Sequence, residues 1–187
     1  TPGSDAADLN FSWYSAGKGT PAVKVWKDGS KSSAKVVTGN AESISAENWQ
    51  GKSYSAANKV NIADYFEENT QYHYQYTDNY TGDDSVWSAE YDYTTKATDK
   101  FSVILTGDPQ VGASGSSSDK SANDASVARD AYNWNKTMQQ ALKTCPDASF
   151  LLSAGDQINQ SGAAKDDDKK TRESEYAGYL YPSVFRS

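Results

Sequence analysis

Phe101-Ser102-Val103-Ile104-Leu105-Thr106-Gly107-Asp108 decides the fold, together with its echo Ala148-Ser149-Phe150-Leu151-Leu152-Ser153-Ala154-Gly155-Asp156. Each is a compact apolar run closed by Gly-Asp. Such runs are expected of strands buried on both faces. Between them lies a Gly/Ser loop, Gly112 to Ser118, and then a helical pattern. Asn123 or Asp124 is placed to cap a helix reaching about Lys143. Ala128, Ala131, Tyr132, Asn135, Met138 and Leu142 fall at helical spacing and mark its expected inner face, with Asn135 the polar exception. Strand, helix, strand makes a crossover unit whose two strands run parallel.

Upstream of about residue 97 the texture differs. Phe11 and Trp13 alternate with Ser12 and Tyr14, and Val23 and Val25 with Lys24 and Trp26. Tyr72, Tyr74 and Tyr76 alternate with Gln71, His73 and Gln75; Trp87, Ala89, Tyr91 and Tyr93 with Ser88, Glu90 and Asp92. Period-two patterning marks half-buried antiparallel strands. Lys27-Asp28-Gly29-Ser30 is a hairpin signal, and the spacing suits a sandwich. The aromatic stripes read as sandwich core rather than a carbohydrate platform. His73 falls opposite Tyr72 and Tyr74, where an exposed strand histidine is expected.

Composition bounds the function. The chain has 187 residues, 36% of them hydrophobic and 23% charged, with 13 Tyr, 5 Trp and 5 Phe. So aromatic a chain is not disordered, and Tyr and Trp fill much of its core. The net charge is −7. Neither half is basic, which disfavours a nucleic-acid partner. No run is long enough to span a bilayer, and no signal peptide is visible. Richness in Ser, Tyr, Asn and Asp suggests an extracellular or cell-surface bacterial protein. The single Cys145 excludes an internal disulfide and reads as a small half-buried thiol.

Asp108 and Asp156 each follow the carboxyl end of a parallel strand, just after a glycine. Ligands bind at that edge in open α/β sheets. Two carboxylates there suit hard cations such as Mg, Mn, Fe or Zn. Lys165-Asp166-Asp167-Asp168-Lys169-Lys170 lacks the spacing and glycine of a calcium loop and reads as a solvated loop before a helix near Arg172 to Tyr179.

Ile104-Leu105-Thr106-Gly107-Asp108-Pro109-Gln110-Val111-Gly112 resembles the first motif of calcineurin-like metallophosphoesterases. Leu151-Leu152-Ser153-Ala154-Gly155-Asp156-Gln157-Ile158-Asn159 resembles the second. Phe66-Glu67-Glu68-Asn69-Thr70-Gln71-Tyr72 resembles the bend before a late strand of fibronectin type III domains, where the Tyr hydroxyl bonds back to the main chain. A fibronectin-like module before such a domain is similar to purple acid phosphatases and their bacterial relatives. The resemblance implies a multi-domain chain: an all-β sandwich over 1–97, then over 98–187 the first part of an α/β (βαβ) catalytic domain.

It further implies that Asp108 ligates one metal and Asp156 bridges two, divalent or trivalent, of the set Fe, Zn, Mn or Mg. Gln110, Gln157 and Asn159 are implied as further ligands or as groups that orient the site. The implied reaction is hydrolysis of small-molecule phosphoesters, with the metals lowering the pKa of bound water. The sequence departs from the family where His two residues after the first Asp is replaced by Gln110. It departs again where Asn159 stands in place of a metal-binding Tyr, so no tyrosinate colour is expected. The family's Gly-Asn-His motif and later histidines do not occur, so the acid/base histidine is not in this chain. Residues 1–187 are therefore expected to be an incomplete, inactive portion of a catalytic domain completed by further sequence, in one variant by the remainder of the domain docked as a separate chain. The rival reading is a non-catalytic cell-surface module that binds through its sandwich.

Overall fold

The computed structural model describes residues 1–49, 52–115, 120–159 and 172–186. The chain divides into two compact units, Thr1–Ala46 with Tyr54–Phe101, and Ser102–Arg186 with Glu47–Ser53.

The first unit is a β-sandwich. β1 (Leu9–Ser15), β5 (Lys52–Ile62) and β4 (Asn40–Trp49) form one sheet, in that order. β3 (Lys35–Thr38), β2 (Ala22–Lys27), β6 (Gln71–Thr77) and β7 (Tyr91–Thr94) form the other. The pairings β1–β5, β2–β3, β2–β6 and β6–β7 are all antiparallel. Val23, Val25, Val60, Ile62, Phe66 and Tyr72 are buried between the sheets. Phe11, Trp13, Tyr74, Tyr76 and Tyr93 pack against them. The aromatic stripes are thus core, as their alternation with polar residues requires. Trp87 and Ala89 do not extend β7. Ser88 ties that run to β6 instead, its N–H donating to the Tyr76 carbonyl (2.8 Å) and its Oγ accepting from Tyr76 N (3.0 Å).

The bend before β6 is closed as its sequence implies. The Tyr72 hydroxyl accepts from Glu67 N at 2.9 Å and reaches the Tyr65 carbonyl at 3.4 Å. The Phe66 and Tyr72 rings meet edge-on with centroids 4.9 Å apart. Asn69 supplies the left-handed turn (φ 51°), a conformation that Asn tolerates.

The second unit holds β8 (Ser102–Thr106), α1 (Lys120–Thr144), β9 (Ala148–Ser153) and α2 (Arg172–Tyr179). β8 and β9 pair in parallel, with Ile104 opposite Leu151 and Thr106 opposite Ser153. Two expectations are corrected here. The strands are not buried on both faces: Leu105 and Leu152, paired in register, are 68% and 53% exposed. Among the described residues this is a two-stranded sheet, and too few layers surround it to cover both sides. The inner face of α1 is also turned. Val127, Ala131, Trp134 and Met138 are buried, whereas Tyr132 is exposed. Trp134 takes the inner place because it buries a larger ring and satisfies its N–H. Its Nε1 donates to the Tyr179 carbonyl (3.0 Å), and the two rings stack at 5.5 Å. Cys145 is half-buried after the helix end. The Lys165–Lys170 run lies outside the described residues.

Candidate metal-binding rim

The parallel register ends at Thr106 and Ser153, and two loops leave the sheet side by side. They remain joined by main-chain hydrogen bonds for several residues. Ala154 N donates to Thr106 O (2.7 Å), Asp108 N to Gly155 O (3.2 Å) and Gln110 N to Asp156 O (2.9 Å). Val111 N donates to Gln157 O (3.2 Å), and Asn159 N returns to Val111 O (3.1 Å). Val111 and Ile158 then form a parallel bridge. The two Gly-Asp turns are therefore one zipped structure at the carboxyl end of β8 and β9.

Left-handed backbone is concentrated in it. Asp108 (φ 58°), Gln110 (φ 39°) and Asp156 (φ 48°) all have positive φ, as do Gly112 (φ 106°) and Gly155 (φ 114°). A β-carbon disfavours this region by roughly 1–2 kcal/mol. Asp is among the residues that enter it most readily; Gln is not. Strain of this kind persists where the surroundings over-determine the backbone, and it gathers at functional sites. Here the inter-loop hydrogen bonds do the determining.

A further anchor comes from α1. The Asp130 Oδ2 accepts from Gly112 N (3.0 Å) and Ser114 N (3.1 Å). Its neighbour Arg129 donates to the Ser114 carbonyl (3.1 Å) and hydroxyl (2.8 Å). Gly112 lies against the buried Glu175 carboxyl of α2, where a β-carbon would collide. The sequence reading missed Asp130 and Glu175. Their one signal was polarity at helical positions, which is shared by many solvent-facing residues. On the β9 side, the Tyr179 phenol is pushed up by burial, and a hydrogen bond with Ser153 opposes that shift.

The side chains of Asp108, Gln110, Asp156 and Asn159 are exposed at this rim, and Gln157 is half-buried. Their oxygen donors match a hard cation in kind. They do not match two cations in number. Among the described residues, no three His, Cys, Asp or Glu side chains are grouped to hold a metal ion. Two metal shells of four to six ligands need more than two carboxylates.

The expectation that His73 is an exposed strand histidine is corrected. Its side chain is only 14% exposed and lies among acids of the sandwich. Trp26, also on the outer face of its sheet, stacks on it and removes it from solvent.

No protein-family model matches the chain, and no curated protein does. Among solved structures the chain is similar to purple acid phosphatase PPD1 isolated from yellow lupin (Lupinus luteus) seeds. The TM-score is 0.57 at 15% identity, over 84% of this chain and 28% of that one. At that identity the likeness shows the fold alone. The chain spans 28% of the length of that phosphatase. No described helix is long and apolar enough to cross a membrane.

Proposed function

We propose that this chain belongs to a metal-dependent phosphoester hydrolase of the calcineurin-like type, as a sandwich followed by the first strand–helix–strand unit of the catalytic domain. The observation that carries the reading is the zipped pair of Gly-Asp turns at one end of a parallel sheet, with Asp108, Gln110 and Asp156 all held left-handed. The similarity in fold to a purple acid phosphatase supports it. The rival sandwich-binding reading loses its main support, because the aromatic stripes it needs at the surface pack in the core.

In this reading Asp108 and Asp156 hold the cations through carboxylate oxygens. Gln110, Gln157 and Asn159 contribute amide oxygens or orient the carboxylates. Bound metal supplies a water of lowered pKa and positive charge for the phosphoester. The chain's own part is to fix the acids. The inter-loop hydrogen bonds set the two turns against each other, and Asp130 pins the loop that carries Asp108 and Gln110. Among the described residues the rim's donors do not complete two metal shells, so this reading takes the remaining ligands and the acid/base group from other polypeptide.

The test is hydrolysis of p-nitrophenyl phosphate with Mn(II), by this chain and by the full product of the reading frame that encodes it. We expect no turnover by residues 1–187. The full product should turn over, with a loss of about 100-fold or more in Asp156→Asn, since metal stabilisation is worth several kcal/mol. Turnover indifferent to Asp156 would sink the reading.

A further inference from the structure

The outer face of the four-stranded sheet carries a charged cluster centred on His73. Three strands contribute to one row: Trp26 of β2 pairs with His73 of β6, which pairs with Asp92 of β7. The imidazole stacks on the Trp26 ring, centroids 5.8 Å apart at 22°. Its Nδ1 lies 2.7 Å from Asp92 Oδ1 and 3.4 Å from Glu90 Oε1. Its Nε2 lies 3.0 Å from Asp28 Oδ1, in the turn after β2. Lys31, also from the β2–β3 connection, joins the cluster through Glu90 and Trp26. Its Nζ pairs with Glu90 Oε2 at 2.7 Å and lies 4.9 Å from the Trp26 ring centroid.

A neutral imidazole has one N–H and one lone pair. It cannot donate to carboxylates on both sides, and in either tautomer one bare nitrogen would face an anion. Only the doubly protonated ring can donate on both sides, to Asp28 from one nitrogen and to Asp92 from the other. The carboxylates are largely exposed (Asp28 65%, Asp92 70%), so solvent screens each pair singly. The imidazolium between them is mostly covered, and it is the common partner of all the acids.

We propose that His73, Asp28, Glu90 and Asp92 form a proton-gated latch. It fastens the β2 turn and the edge strand β7 to β6, and it releases when the ring loses its second proton. β7 is a four-residue edge strand that pairs with β6 alone, so the acids it carries are its tie to the turn after β2. Losing the imidazolium leaves Lys31 against Asp28, Glu90 and Asp92. A lone pair then also points at one carboxylate.

The pH window follows from the two partners. The Asp28 hydrogen bond, then Asp92, raises the His73 pKa above its ordinary value, against the opposing effect of burial. A proton held more tightly in the folded state stabilises it fully below the ordinary histidine range, near ~6.5. That contribution is lost as pH rises through the raised folded value. The His73 hydrogen bond lowers the Asp28 pKa. Its contribution is present above the ordinary carboxylate range and lost as pH falls through the lowered value. The latch is closed between these limits.

His73 is the single histidine of the chain, so its ring resonances identify themselves in an NMR titration of the full 187-residue protein. The ring should titrate above ~6.5, and Asp28→Asn and Asp92→Asn should each lower the midpoint. Backbone order parameters of Tyr91 to Thr94 should fall through the same midpoint in the unaltered chain. In His73→Gln they should be low at every pH. If that variant does not fold, Asp92→Asn decides, because its order parameters should fall at the lowered midpoint. A ring that titrates at or below the ordinary value would overturn the latch. So would a β7 whose order ignores the titration.

Discussion

Asp130 gives the most direct access to how the rim is held. Its Oδ2 accepts two main-chain hydrogen bonds, from Gly112 at 3.0 Å and Ser114 at 3.1 Å. Asp130→Ala removes both without touching the zipped strands. A net contribution of about 1 kcal/mol per hydrogen bond gives about 2 kcal/mol for local opening of the loop. That is about a 30-fold loss of exchange protection at the Gly112 and Ser114 amides. Asp130→Asn keeps an oxygen in place but without charge. Neutral hydrogen bonds have about half the strength of charge-assisted ones, so about 1 kcal/mol and a fivefold loss are expected. Hydrogen exchange followed by NMR reads both, with circular dichroism as the check that α1 survives. The order should run Ala, then Asn, then unaltered chain. Gly112 and Ser114 amides that exchange at the unaltered rate in Asp130→Ala would refute the reasoning, for the loop would then be held by the β9 loop and by Arg129 without help from Asp130.

Other substitutions test the two units separately. Tyr72→Phe keeps the ring contact with Phe66 and deletes the hydroxyl that accepts from Glu67 N; it should cost about 1–2 kcal/mol in urea denaturation of the sandwich, with an unchanged slope. Trp134→Ala should cost the helical unit about 3–5 kcal/mol. Trp134→Phe should cost less, because it keeps a ring against Tyr179 and loses the N–H bond to the Tyr179 carbonyl. At Gln110, Gly should be at least as stable as Gln, while Val should be less stable than Gly by about 1–2 kcal/mol, since a β-branched residue is poorly suited to left-handed backbone. Thermal midpoints of the pair decide this.

Much of this was legible because it rests on local rules. The alternation in Tyr72, Tyr74 and Tyr76 gave β6 and its inner face. The spacing from Phe66 to Tyr72 gave the bend. Two apolar runs ending Gly-Asp gave the parallel pair and the rim. β5 is hard to read from sequence, because its inner positions include Asn58. Pattern alone scores a polar residue as outward. Asn58 is tolerated inside because its Nδ2 donates to Ser15 Oγ at 2.8 Å, across the β1–β5 pair. The face of α1 was misjudged for a related reason. Helical periodicity allows either Tyr132 or Trp134 inward, and the choice is made by Tyr179, far along the chain. His73 looked solvent-facing because strand parity says which side a residue takes, not what stands on that side. Trp26 of one strand and acids of two other segments close over it. Left-handed backbone at Gln110 has no sequence signal at all, since it comes from the hydrogen bonds that tie the β8 loop to the β9 loop.

The central claim is that Asp108 and Asp156 hold cations together at the rim. Paramagnetic broadening by substoichiometric Mn(II) in an amide NMR spectrum of the chain tests it most directly. The account predicts selective loss of signals around Gly107 to Gln110 and Gly155 to Gln157, abolished in both Asp108→Asn and Asp156→Asn. Broadening confined to other acidic residues, or broadening at one turn that persists when the other aspartate is replaced, would contradict it.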